Sequence, residues 1–188
     1  PVETGTRVID TDEGPRRSVS LETLKSLKPA FPPGTTVTAG NSSQISDGAA
    51  AVAVTSSDHA KTLDLKPIAE IEDYTVVANE PSRLFEAPAQ AISQLLDRNG
   101  MNLGDIDLLE VNEAFAAQIL ANGKALEWDW DRVNVNGGAV ALGHPIGATG
   151  ARILVTLLYA MVSRGLETGV AALCHGGGGA VAMRMRLV

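Results

Sequence analysis

The chain holds a single cysteine, Cys174, among 188 residues. One thiol cannot close an internal disulfide, so nothing here asks for an oxidising compartment, and a cytoplasmic setting is expected. Aromatic residues make up only 4% of the chain, which weakens any surface built to stack bases. Positive charge is in deficit: 15 Lys and Arg stand against 22 Asp and Glu, for a net charge of −7. That balance argues against a phosphate-tracking surface, and no nucleic-acid partner is expected. Long apolar runs are also missing. The most apolar helical stretch, residues 153–162, falls far short of the roughly 18 to 20 residues of a membrane span. No secretory signal pattern opens the sequence, so neither a membrane span nor a targeting segment is expected.

What is present suits an α/β protein packed with Ala, Val and Leu: 45% hydrophobic residues and 19 glycines. The length can bury a sizeable core in one domain, or in one and a fraction. Pro1 stands first, which fits a processed initiator Met, a trimmed chain or a piece of a longer one.

Along the chain, residues 1–20 are polar and read as a surface arm with a turn at Asp12-Glu13-Gly14-Pro15. Leu21, Leu24 and Leu27 recur at helical spacing behind Ser20, an N-cap residue, and Pro29 closes that helix. Pro32-Pro33-Gly34 turns the chain. Residues 35–39 read as a strand entering a small-residue loop, and the apolar run 49–55 has the pattern of a buried strand. The polar segment 61–67 is the best internal boundary, dividing residues 1–66 from 67–188. Beyond it a strand (68–77), a helix (87–96) and a strand (105–111) lead into a helix opening at Asn112 and running to Leu126. A short extended piece (133–136), a helix (151–163) and two apolar strands (170–173 and 180–187) complete the pattern. Strands alternating with helices predict a layered α/β architecture with a mixed sheet.

Three polar side chains fall on glycine-rich or strand-terminal turns: Asn112, His144 and Cys174. Cys174 ends an apolar run and opens onto Gly176-Gly177-Gly178-Gly179, where exposed backbone N–H groups can face a ligand. A cysteine with a histidine nearby serves as nucleophile or as acid/base, and Asn and backbone N–H groups can hold an oxyanion. Each residue also has a plainer reading. Cys174 taken alone fits inert packing, His144 a turn hydrogen bond, Asn112 a helix N-cap and Phe115 helix core. His175 and His59 fit structural or surface positions. Cys174, His175, His144 and His59 lack the ligand spacing of a zinc site, so no metal is expected. Neither glycine-rich stretch has the order of a dinucleotide-binding turn.

Taken together, Asn112-Glu113-Ala114-Phe115, Gly143-His144-Pro145-Ile146-Gly147-Ala148-Thr149-Gly150 and Cys174-His175-Gly176-Gly177-Gly178 occur in the order seen in thiolases. The chain resembles the C-terminal half of that family. Thr38-Ala39-Gly40-Asn41-Ser42-Ser43 with Asp47-Gly48-Ala49-Ala50, and Val133-Asn134-Val135-Asn136-Gly137-Gly138, extend the resemblance over nearly the whole chain.

The resemblance implies a thiolase-like layered α/β/α fold, with a C-terminal domain plus the tail of the preceding domain. It implies an acyl-CoA acyltransferase that makes or cleaves 3-ketoacyl-CoA by Claisen chemistry, as acetyl-CoA acetyltransferases and 3-ketoacyl-CoA thiolases of fatty acid metabolism do. Such enzymes use an acyl-cysteine on a nucleophile from the first half of the polypeptide, which these residues lack. Cys174 matches the family's second cysteine, the acid/base at the acyl α-carbon. His144 matches the residue that activates the nucleophile and holds the thioester oxygen, Asn112 the one that positions a water there, and Gly176 a backbone oxyanion donor. Ser43 matches a position near the pantetheine arm, and Ala114 and Phe115 match pocket-wall positions. CoA and acyl-CoA are then substrates, with no permanently bound cofactor. The expected partners are an N-terminal thiolase half or subunit, within a homo- or hetero-oligomer, and the chain alone is expected to be inactive. The alternative implied is a non-catalytic thiolase-fold subunit that binds CoA or a lipid-like acyl group. Two positions depart from the family pattern: His175, where many members carry a small or aliphatic residue, and Gly179-Ala180.

Overall fold

A computed structural model describes residues 2–5, 7–31 and 34–188. Strands β1 (Val2–Thr4) and β2 (Arg7–Ile9) form an antiparallel pair, followed by helices α1 (Leu21–Ser26) and α2 (Ser57–Thr62). The main body then runs β3 (Ala69–Ala78), α3 (Ala87–Arg98), β4 (Leu108–Val111), α4 (Ala116–Leu126), α5 (Ala139–Leu142), α6 (Thr149–Arg164), β5 (Thr168–His175) and β6 (Gly179–Leu187). Short 3-10 turns occupy Pro81–Glu86, Leu103–Asp105 and Trp130–Arg132.

The last four strands make one sheet in the order β3-β6-β5-β4. β3 with β6 and β6 with β5 are antiparallel, whereas β5 with β4 is parallel, with Val111 opposite Ala172. Period-two alternation sends successive side chains to opposite faces. On one face Val111, Val170, Ala172, Ala180 and Ala182 pack with Ala91, Ile92, Leu95 and Leu96 of α3 and Ile119 of α4. On the other, Leu108, Ala171 and Met185 pack with Ile153, Leu157, Ala160 and Met161 of α6. The result is three layers, helix on sheet on helix, and β4 is buried along its whole length. A parallel pair needs a long crossover, and the segment from β4 to β5 supplies it with α4, α5 and α6.

Several sequence expectations change. The α1 helix forms behind Ser20, whose hydroxyl accepts from Thr23 N, but it buries none of its residues. Among the described residues, 35–39 make only an isolated bridge, Thr38 to Pro29, instead of a strand. Residues 49–55 form no strand, and Val54 is 69% exposed; their apolar pattern has no layer to pack into among the described residues. The arm at 1–20 carries the β1–β2 pair. Helix α4 begins at Ala116, four residues later than expected, since residues 112–115 stay outside the helix, with a bend at Ala114 and an extended Phe115. In the short piece 133–136 only Val133 bridges, to Leu109, and Asn134 turns the chain with φ +48°. The turn expected at Pro32 and Pro33 lies outside the described residues.

Leu95 is fully buried in the α3 face of the core, whereas Leu120 on α4 is 59% exposed. Leu95→Ala is expected to cost about 2–5 kcal/mol, and Leu120→Ala roughly 0.5 kcal/mol or less. Denaturant unfolding of both variants checks this, and equal losses would contradict the packing described.

Candidate active site

The site is built at the carboxyl ends of β4 and β5, the rim where open α/β sheets bind ligands. β4 stops at Val111, yet Asn112 N donates to Ala172 O at 2.9 Å, so the ladder runs one residue past the strand. Cys174 lies two residues beyond Ala172, next to last in β5. The two side chains reach the rim from opposite faces. Cys174 pairs with Ala180 and alternates with Ala172, whose side chains both pack in the α3 layer. Asn112 alternates with Glu110 toward α6, and Arg152 of that helix touches both.

After Cys174 the chain turns through Gly176, Gly177 and Gly178 into β6. Gly178 sits at φ +97°, and a Cβ there would collide with Asn79 O, so no larger residue fits this turn. Asn79 N donates back to Gly178 O at 2.8 Å, fixing the hairpin against the end of β3. Gly176 is exposed at its apex. His175 is exposed too, with Nδ1 3.0 Å from Gly176 O, and its ring fills the space a side chain at Gly179 would need. The two departures from the family pattern are therefore one packing solution.

His144 follows Gly143 at the end of α5. Its backbone N donates to Gln44 O at 2.9 Å, and residues 44–46 run beside it through the bridge of Ile45 to His144. The same strap binds the other loop: Ser43 N donates to Ala114 O at 3.0 Å and Ala116 N to Asn41 O at 2.9 Å, with Ser42 bridged to Phe115. Gln44 Nε2 donates to Ala141 O at 3.0 Å. Residues 41–46 thus stitch the Asn112 loop to the His144 loop. Ser43 and Ala114 meet through backbone, and Phe115 meets Phe85 edge to face at 5.1 Å.

The imidazole of His144 is held at both nitrogens. Nδ1 lies 2.7 Å from Thr149 Oγ1, and that hydroxyl donates its one proton to Pro145 O at 2.9 Å. The hydroxyl must therefore accept from Nδ1–H, which leaves Nε2 with its lone pair. Nε2 lies 3.4 Å from Asn112 Nδ2. Burial, and then the positive charge of Arg152, lower the pKa of His144 from its ordinary 6.5. Burial raises the Cys174 thiol above its ordinary 9.0. Between those two values both groups rest uncharged. Burial also pushes the Glu110 carboxyl up to about 7, against the pull of Arg152 at 3.0 Å.

The structure brings Asn112 and His144 into contact and sets Cys174 and Gly176 on the neighbouring strand end. Among the described residues no hydrogen bond joins Cys174 to His144 or Asn112. Among them, too, no group of three or more His, Cys, Asp or Glu is placed to hold a metal ion, and His59 is exposed on α2. Sequence reasoning missed Glu110, Thr149, Arg152 and the strap residue Gln44. A signal existed for the first: a carboxylate inside Leu108-Leu109-Glu110-Val111 must find a partner when the strand is buried. Glu113 was named only within its motif. It accepts from Asn134 Nδ2 at 3.0 Å and Val140 N at 3.2 Å, which ties the Asn112 loop to α5.

His144 is expected to titrate below 6.5 in the folded protein. The folded state then binds this proton less tightly than the unfolded chain does, so stability is lost as pH falls through the unfolded value. An NMR pH series on the His144 ring checks this, and a midpoint above 6.5 would contradict it.

Comparison with known proteins agrees with this architecture. The family model for the thiolase C-terminal domain matches residues 65–187, and that for the thiolase N-terminal domain matches residues 1–58. A probable acetyl-CoA acetyltransferase of Escherichia coli (strain K12) is 52% identical over 95% of this chain and 45% of its own length. An acetyl-CoA acetyltransferase of Pseudomonas aeruginosa is 51% identical over 94% of the chain and 45% of its own length. The chain thus spans about half the length of the curated relatives it matches. Among solved structures, the Bacillus anthracis acetyl-CoA acetyltransferase superposes with a TM-score of 0.88 at 46% identity, covering 94% of this chain and 45% of that one. Human mitochondrial 3-ketoacyl-CoA thiolase in complex with CoA gives 0.86 at 38% identity, covering 96% and 46%. With its mixed sheet, its layers and these matches, the chain belongs to the thiolase family.

Proposed function

We propose that this chain supplies the acid/base part of a thiolase active site, joining or cleaving 3-ketoacyl-CoA beside a partner segment that carries the nucleophilic cysteine. The observation that carries the reading is the Asn112–His144 contact at 3.4 Å, one strand away from Cys174 at the same rim. In condensation, the Cys174 thiol first gives its proton to the CoA thiolate released when an acyl-CoA acylates the partner's cysteine, and the resulting Cys174 thiolate takes a proton from the α-carbon of a second acyl-CoA. The carbanion then attacks the carbonyl carbon of the partner's acyl-cysteine, so a C–C bond forms, the C–S bond breaks and the partner's thiolate leaves. Thiolysis runs these steps in reverse, with the Cys174 thiol returning the proton. A thiol whose pKa is raised by burial makes the stronger base once ionised, which suits a weakly acidic carbon.

His144 has its lone pair on Nε2 and can accept the proton of the partner's thiol. As imidazolium it then offers Nε2–H to the thioester oxygen, alongside a water held by Asn112, and Gly176 N–H serves the acyl-enzyme oxygen. Ser43, Ala114 and Phe115 line the approach of the pantetheine arm and the acyl group. CoA and acyl-CoA enter as substrates, with no resident cofactor. A cleft of about 440 Å3 runs along the turn that follows His144, lined by Asp47, Gly48, Pro145 and Ile146 among others.

The partner belongs to the same proposal, as an N-terminal thiolase half or subunit in a homo- or hetero-oligomer. The exposed apolar run 49–55 supports it, since Val52 and Val54 have no covering layer among the described residues. The division into residues 1–66, the end of an N-terminal domain, and 67–188, the C-terminal domain, is part of it as well. So is a cytoplasmic setting, supported by the lone free thiol; among the described residues no helix is long and apolar enough to cross a membrane.

Cys174→Ala in the assembled enzyme is expected to suppress condensation and thiolysis while leaving acyl transfer onto the partner's cysteine detectable by mass spectrometry. Normal condensation by that variant would refute the assignment. His144→Ala is expected to lower kcat on the order of 10²- to 10⁴-fold. The isolated chain is expected to show no thiolase turnover, and robust activity from it alone would remove the need for a partner.

A further inference from the structure

We propose that Arg152 is the positioning residue of the Asn112–His144 pair: its guanidinium decides which end of the Asn112 carboxamide faces the imidazole. The proposal rests on the reading above, in which that pair handles the thioester oxygen.

A carboxamide has two ends of similar shape and opposite polarity, so a flip of Asn112 would present an acceptor to His144 where it now presents a donor. Asn112 is 1% exposed, so bulk water does not arbitrate. Arg152 can. Its guanidinium is a donor only, and Nη2 lies 3.3 Å from Asn112 Oδ1. The flipped amide would set two groups of protons against each other at that distance. Nδ2 is therefore left facing His144 Nε2, which must offer a lone pair. Thr149 dictates the same tautomer from the opposite side of the ring, because its proton goes to Pro145 O. Two independent constraints thus give one direction of hydrogen bonding from Arg152 to the Pro145 carbonyl.

Glu110 holds the clamp in place. It is 2% exposed and accepts from Arg152 Nη1 at 3.0 Å. Glu110 and Asn112 are two residues apart on β4 and its one-residue extension, so they share a face and are spaced by about 6.7 Å along the strand. A planar guanidinium with two forked nitrogens spans them in one fixed geometry. A lysine, with a single ammonium on a flexible stem, does not. Thr149 and Arg152 both lie in the first turn of α6, so one helical turn grips both ends of the pair.

The test uses this chain assembled with the complementing thiolase half, its three histidines labelled with ¹⁵N. Wild-type His144 is expected as the Nδ1–H tautomer, and an Nε2–H tautomer there would overturn the proposal without any variant. Arg152→Met is expected to keep the Nδ1–H tautomer that Thr149 imposes but to free the Asn112 amide to both orientations, which shifts the ¹⁵N resonance of His144 Nε2 as its bond from Asn112 Nδ2 is lost, and to move the acid limb of the rate profile to higher pH, since a cation near the imidazole is gone. Arg152→Lys keeps the charge, so the limb stays while kcat for thiolysis falls on the order of 10- to 100-fold with KM little changed. Glu110→Gln, which keeps an acceptor for Nη1, is expected to lose less than Glu110→Ala. Variants that fold with the wild-type Nε2 resonance and the wild-type kcat per active site would overturn the positioning role. An inert wild-type assembly would instead refute the functional reading, and the Nε2 resonance of the Arg152 variants would still decide the positioning role.

Discussion

The parallel pairing of β4 with β5 is the constraint on which the rest depends. Its register, Val111 opposite Ala172, sets the carboxyl ends of two buried strands side by side. It also forces the chain between them to leave the sheet and return by a long crossover with helices on both faces, because parallel neighbours cannot be joined by a tight turn. That excursion carries α4, α5 and α6, and the His144 loop lies within it. A one-residue slip of β4 against β5 would turn Glu110 and Asn112 from α6 toward the α3 core. It would bury a carboxylate among Ala91, Ile92 and Leu95 and take Asn112 away from His144.

The rim is rigid because polar groups inside it are paired with backbone. Residues 41–46 lie across both loops, tied to them by main-chain bonds from Ser43 N to Ala114 O, Ala116 N to Asn41 O and His144 N to Gln44 O, with the Gln44 side chain adding a bond to Ala141 O. Below Phe115 a second buried chain runs from Ala114 N to Gln118 Oε1, from Gln118 Nε2 to Asn122 Oδ1 and from Asn122 Nδ2 to Phe85 O. It takes up the backbone N–H of Ala114 and explains why α4 begins only at Ala116. A helix starting at Asn112 would have to give up both this chain and the ladder bond to Ala172.

This is also where sequence reasoning stops. The order of strands and helices from residue 68 onward, and the turns holding Asn112, His144 and Cys174, follow from periodicity and from glycine placement. The state of Asn112 does not. Asn ahead of an apolar run reads as an N-cap, and only the tertiary bonds to Ala172, Arg152 and His144 show that it is a rim residue. Arg152 was invisible for a related reason: in Gly150-Ala151-Arg152-Ile153 it looks like a solvated residue at a helix start. Its partner Glu110 is 42 positions away, and no local pattern links them. Residues 49–55 mislead in the other direction, since hydrophobic pattern specifies a preference for burial and says nothing about which surface provides it.

The placement of Cys174 bears on its proposed role. A cysteine that acts as nucleophile is served by a thiolate held beside an imidazolium, a pairing that lowers one pKa and raises the other. Here both shifts go the opposite way, the thiol up and the imidazole down, and burial is the first cause of each. Cys174 comes to the rim on the α3 face of β5, whereas His144 sits on the loop after α5 and meets Asn112, and among the described residues no hydrogen bond joins the thiol to the imidazole. Such a pair rests as neutral thiol and neutral imidazole. On the reading proposed above, that state suits thiolysis, in which the thiol gives a proton to carbon and the imidazole takes one from sulfur. The direction of both shifts is in keeping with the proton-transfer role proposed for the lone cysteine.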